Sequence, residues 1–147
     1  MQTNGYQSYF ENELRETSPL GLVLMLYRAA LDAIGCARRH VRAGDIAARS
    51  RAISKAMAIV TELSLSLNQP EGGELSRNLA GLYAYSEKLL IQANFEQREG
   101  PLEEVERLLS TLLEGWAACL PEEPAVERSE QTEHVENQQY EPVICTY

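Results

Sequence analysis

Apolar residues recur at helical spacing through four stretches of this chain, and the first stretch has no clear polar side. Between Pro19 and Ala37 only Arg28 and Asp32 carry charge. Leu20, Leu22, Val23, Leu24, Met25, Leu26, Tyr27, Leu31 and Ile34 surround them on every face of a helical wheel. A helix covering a small soluble core needs an apolar stripe about 100° wide and gives the rest to water. A wider stripe implies central burial, a membrane, or a surface kept for another chain. A membrane span wants about 20 predominantly apolar residues; the two charges and the small Ala29, Ala30, Ala33 and Gly35 speak against one. The pattern therefore predicts a helix buried on one side by its own fold and on another by a partner.

The punctuation sets the remaining elements. Ser18-Pro19 reads as a helix start, with a hydroxyl to cap free amides and a proline whose missing N–H costs nothing at the first position. Gly44 should stop this helix, and Asp45 should cap the next, where Ile46, Ile53, Ala56, Val60, Leu63 and Leu67 alternate three- and four-residue steps. Asn68-Gln69-Pro70-Glu71-Gly72-Gly73 is expected to break the chain. A third helix follows, with Leu75, Leu79, Leu82, Leu89 and Ala93 on its seam and Tyr83, Tyr85, Leu90 and Ile91 beside it. After Gly100-Pro101 the fourth carries Leu102, Val105, Leu109, Leu112, Trp116 and Cys119. With short connections and no strand pattern, the fold expected is all-α, an antiparallel four-helix bundle over residues 18–120. Residues 1–17 form a flexible N-terminal segment holding Tyr6, Tyr9 and Phe10. Residues 121–147 read as a disordered acidic tail with too little apolar surface to offset ordering entropy. The more apolar end of that tail, Tyr140 to Tyr147, fits a solvated end better than a short docking motif.

Charge and chemistry narrow the function. The net charge of −9 argues against nucleic acid, whose phosphates need clustered Lys and Arg. Seven Glu against one Arg in the tail supply −6 of it. Cys36, Cys119 and Cys145 are far apart, with no CxxC or Cys/His cluster to hold zinc. The polar start at Met1 has no secretory pattern, so a cytoplasmic location with reduced thiols is expected. The two histidines, His40 and His134, lack the Glu-x-x-His spacing of a di-iron bundle. Gly72-Gly73 is too short for a phosphate loop and has no lysine after it. Cys36, on an apolar helix, reads as a small core residue rather than a nucleophile. No metal, no cofactor and no enzymatic activity are expected.

In combination these segments resemble the FliS family of flagellar export chaperones, over about residues 5–118. The resemblance rests on Tyr6-Gln7-x-Tyr9, then Thr17-Ser18-Pro19 followed by Leu22-Val23-Leu24-Met25-Leu26-Tyr27. It continues through Ile53-Ser54-Lys55-Ala56, Leu65-Ser66-Leu67-Asn68, Gly72-Gly73-Glu74, Leu82-Tyr83-x-Tyr85 and Leu112-x-x-x-Trp116. Gly21, where the family usually has an acidic residue or glutamine, and the long acidic tail depart from the family pattern. The resemblance implies a chaperone that binds the disordered C-terminal segment of flagellin in the cytoplasm. It implies that the chaperone blocks premature polymerisation and hands its client to the cytoplasmic domain of the export gate. Such coupled folding and binding needs a long apolar surface. It further implies that the N-terminal tyrosine segment covers the client site when empty, with Tyr6 and Tyr9 at the matching positions and Phe10 beside them. Expected client contacts are Leu22, Met25, Leu26 and Ala29 along the first helix, Ile53 and Met57 on the second, Asn68 at the turn, and Tyr83 and Leu90 on the third. For each residue within the bundle, core packing is an equal alternative. No membrane insertion is expected, and a homodimer through the first helix stays open as an alternative for the client-free form. A general helix-binding adaptor is the rival reading.

Overall fold

The structure, a computed structural model, describes residues 18–67 and 69–120. The expectations for Tyr6, Tyr9, Phe10, Asn68 and the acidic tail lie outside the described residues. Four helices run in order: α1 Pro19–Ala43, α2 Ile46–Leu65, α3 Gln69–Glu96 and α4 Gly100–Ala117. Each packs on its sequence neighbour, and α1 closes the ring against α4. Short connections between neighbours make the bundle antiparallel, as the breaks predict.

The ends form for the reasons legible in the chain. Ser18 Oγ accepts from the Gly21 amide at 3.1 Å, and Asp45 Oδ1 accepts from the Ala48 amide at 3.1 Å. Gly44 ends α1 in the left-handed region at φ 71°, and the amides of Gly44 and Asp45 return to the carbonyls of Val41 and His40. The expected break at 68–73 falls at Gly73, where the helical backbone is interrupted at a kink. Helix already begins at Gln69, with Pro70 in the first turn where a missing N–H is harmless, and Gly73 bends it at φ 56°, ψ −132°. Beyond the kink, α3 continues to Glu96.

The core is built from all four helices, with Tyr27, Ile34, Leu63, Tyr83, Leu90, Leu102 and Leu109 fully buried. Burying an aliphatic side chain of this size contributes roughly 1.5–3 kcal/mol. Central burial explains one side of α1, where Leu24, Tyr27, Ala30, Ala33, Ile34, Cys36 and Ala37 are buried, while Leu22 stays exposed and Val23, Met25 and Leu26 half-buried. The same helix is long and apolar enough to cross a membrane by composition, but in this fold it is the core helix.

Several positions depart from the expected seams. Ile46 and Leu75 are exposed, as is Cys119, which carries a free thiol. On α3 the buried row is Ser76, Leu79, Tyr83, Ser86, Leu90 and Ala93, so Tyr83 and Leu90 lie on the seam rather than beside it. Ser86 occupies that row because its hydroxyl donates back to the Leu82 carbonyl at 2.9 Å, leaving only a small side chain to pack. Cys36 is buried, as a core residue should be.

Candidate functional site

Eight large apolar residues are exposed among those described, and six of them sit on α2 and α3: Ile46, Leu65, Leu75, Tyr85, Ile91 and Phe95. Two of these, Ile91 and Phe95, wall an open groove of about 390 Å³ between α2 and α3, completed by Ile53, Ser54, Met57 and Asn94. Phe95 is 87% exposed and Ile91 60% exposed. An aromatic ring so fully exposed beside a second large apolar side chain is unusual on a closed surface and marks a surface suited to a partner.

Helix geometry explains the groove. Ile91 and Phe95 are four residues apart on α3, and Ile53 and Met57 are four apart on α2, so each pair lines one face of its helix. Ile53 faces inward far enough to join the core and forms the floor, at 3% exposure, while Met57 is half-buried at the wall. A flexible thioether in such a wall adapts to differing partner side chains. Polar groups sit at the edges. Asn94 Oδ1 accepts from Arg49 Nε at 3.3 Å and from Ser50 Oγ at 3.1 Å, pinning α3 to α2 at this end. Further along, Thr61 Oγ1 donates to Glu87 at 3.2 Å.

The structure brings together only two of the expected contact residues, Ile53 and Met57, in this groove. Leu22 is exposed, and Met25, Leu26 and Ala29 are half-buried along α1. Tyr83 and Leu90 are fully buried and serve the core. Tyr83 forms a 2.6 Å hydrogen bond with Tyr27, whose hydroxyl also accepts from Trp116 Nε1 at 3.2 Å. Sequence reasoning placed Ile91 only beside a seam and did not single out Phe95 or Asn94. The available signal was Phe95 itself, an aromatic set between Asn94 and Glu96 at the end of α3.

A second depression of about 570 Å³ lies between α1 and α4, lined by Arg38, Glu103, Glu106, Arg107, Ser110 and Thr111. Arg38 and the glutamates around it are engaged with one another. Arg38 donates to Glu106 at 2.6 Å and to Glu99 at 2.8 Å, and Arg42 donates to Glu99 at 3.0 Å. The Arg42 hydrogen bond, followed by that from Arg38, holds the Glu99 carboxyl below its ordinary range. Among the described residues, no cluster of three or more His, Cys, Asp or Glu is placed to hold a metal ion.

Comparison with known proteins gives this groove a family context. Residues 2–123 match the family model described as "Flagellar protein FliS". The chain is 38% identical over 112 residues to the flagellar secretion chaperone FliS of Salmonella typhimurium, covering 76% of this chain and 83% of that protein. It is 36% identical over 117 residues to the Campylobacter jejuni flagellar secretion chaperone FliS, covering 79% and 91%. The Bacillus subtilis protein of the same name is 31% identical over 120 residues, covering 82% and 89%. Since the family match runs through all four helices and the groove between α2 and α3, this chain belongs to the FliS family of flagellar secretion chaperones.

Proposed function

We propose that this chain is a flagellar export chaperone that binds the C-terminal segment of flagellin in the cytoplasm. It holds that segment unpolymerised and delivers it to the cytoplasmic domain of the export gate. The observation that carries this reading is the open apolar groove walled by Ile91 and Phe95 in a member of the FliS family. A disordered client loses conformational entropy when it folds on a surface, and only extensive apolar burial offsets that loss. A helix laid between α2 and α3 would cover Phe95, Ile91 and Met57. The half-buried strip of Leu22, Met25, Leu26 and Ala29 offers a second stretch for a client that wraps the bundle. Tyr6, Tyr9 and Phe10 act as a cover that competes with the client.

Calorimetric titration with a flagellin C-terminal peptide tests the reading. The full chain should bind one peptide with a large negative heat-capacity change, the mark of apolar burial. Phe95→Glu should weaken binding at least tenfold without lowering thermal stability, because Phe95 is exposed in the free protein. Absence of binding by the full chain would overturn the flagellin assignment and favour a general helix-binding adaptor. A chain starting at Ser18 should bind more tightly if the tyrosine segment is a cover; weaker binding would make those residues direct contacts.

A further inference from the structure

Arg49 packs against Asn94 and, as a residue, is only 6% exposed, unusual burial for an arginine. Among the described residues no ion pair includes it. Its side-chain hydrogen bond goes to a neutral group, the Asn94 amide oxygen. That bond fixes which way the amide faces. A guanidinium has donors and no acceptor, so Asn94 must turn its oxygen toward Arg49. Ser50 donates to the same oxygen, which fills both of its lone pairs. The Asn94 NH2 therefore points away from this pair, and it has no hydrogen-bond partner among the described residues. Among the described residues no buried side-chain nitrogen or oxygen is left unpaired, so this NH2 reaches solvent, and Asn94 lines the groove.

We propose that Asn94, backed by Arg49, is an anchor for a carboxylate carried by the helix that occupies the groove. The inference rests on the flagellin-binding reading above. The apolar walls are non-directional and cannot by themselves fix where along the groove a helix stops. A donor pair held in one orientation beside an uncompensated cation can, because hydrogen bonds to ionised acceptors are roughly twice as strong as neutral ones. The carboxylates already near the groove are engaged elsewhere: Glu96 with Arg98, and Glu87 with Thr61. Exposed Lys88, one turn before Ile91, adds positive potential on the same side of α3. The anionic group comes either from an acidic side chain of the client or from its terminal carboxylate, and both present the same chemistry to Asn94.

The test titrates the full chain with three forms of the flagellin C-terminal peptide: native, C-terminally amidated, and with its acidic side chains changed to amides. Neutralising the anchored carboxylate should weaken binding about tenfold or more, and which neutral form loses affinity identifies its source. Asn94→Asp gives a sharper result. It gives Arg49 a charged partner and removes the donors, so thermal stability should hold or rise while affinity for the native peptide falls about tenfold or more. The variant should also bind native and neutralised peptides alike. Equal affinity of the unmodified protein for all three peptides, or undiminished affinity of Asn94→Asp, would overturn the anchor and leave the flagellin reading standing. No binding of the native peptide by the unmodified protein would overturn that reading, and the anchor with it.

Discussion

Tyr27 of α1, Tyr83 of α3 and Trp116 of α4 meet inside the bundle, where two hydroxyls and one indole N–H form a chain of hydrogen bonds. The Tyr27 and Tyr83 hydroxyls lie 2.6 Å apart and their rings 6.3 Å between centroids, tilted by 55°. This pair spans the diagonal between α1 and α3, which are not neighbours in the ring of helices. Burial pushes both phenols above their ordinary value of 10.0. The sign of the pH effect follows. A phenol whose pKa is raised by folding contributes stability that is complete below the unfolded value and is lost as pH rises beyond it. Alkaline titration followed by tyrosinate absorbance should therefore show Tyr27 and Tyr83 resisting ionisation until the helical signal collapses. Smooth ionisation of both with the helices intact would contradict this account. Spacing alone did not reveal the network. A tyrosine stripe reads equally as core or as binding surface, and only the meeting of three helices decides for core at Tyr83.

At the scale of the element, the kinked start of α3 depends on two adjacent glycines for different reasons. Gly73 sits at φ 56°, ψ −132°, a conformation that a Cβ makes costly. At Gly72 the obstacle is space: a Cβ there would lie 1.6 Å from Ser76 Oγ and 2.7 Å from Ser76 Cβ. Gly81, in the regular part of the same helix, has nothing within 4 Å. Urea denaturation should thus find Gly73→Ala destabilised by about 1–3 kcal/mol. Gly81→Ala should be stabilised by up to about 1 kcal/mol through helix propensity. Gains at both positions would mean that α3 starts as a regular helix. The sequence marked this place as a break, and Gly73 makes it one, while Pro70 in a first turn does not interrupt the helix. The other boundaries were legible because Ser18, Gly44 and Asp45 act locally, through their own side chain or dihedral angle. Seam positions were less legible: Ser76, Ser86 and Arg49 are polar yet buried, while Leu75 and Ile46 are apolar yet exposed. The groove was legible only in part, since Ile53 and Met57 follow the periodicity, whereas exposure at Phe95 depends on what α2 leaves uncovered.

Across the whole molecule, the charge network and the groove occupy different seams of the ring. Arg38 and Arg42 on α1 hold Glu99 in the turn before α4, and Arg38 also reaches Glu106 on α4. These bonds bind the seam between α1 and α4, while the groove opens between α2 and α3. Folding lowers the Glu99 pKa, so its contribution to stability is present above the unfolded value of about 4.5 and disappears as pH falls below it. The network is partly exposed, and salt should screen it. Glu99→Gln should accordingly melt below the unmodified protein at about pH 7, and the two melting temperatures should converge both near pH 3 and in about 1 M salt. Parallel curves across that pH range would show that Glu99 contributes by packing rather than by charge. Peptide affinity offers the complementary check, because a clamp on the far seam has no surface to share with a helix between α2 and α3. Glu99→Gln should leave that affinity unchanged at about pH 7; if it falls along with stability, the groove depends on the closed ring and the two seams are mechanically coupled.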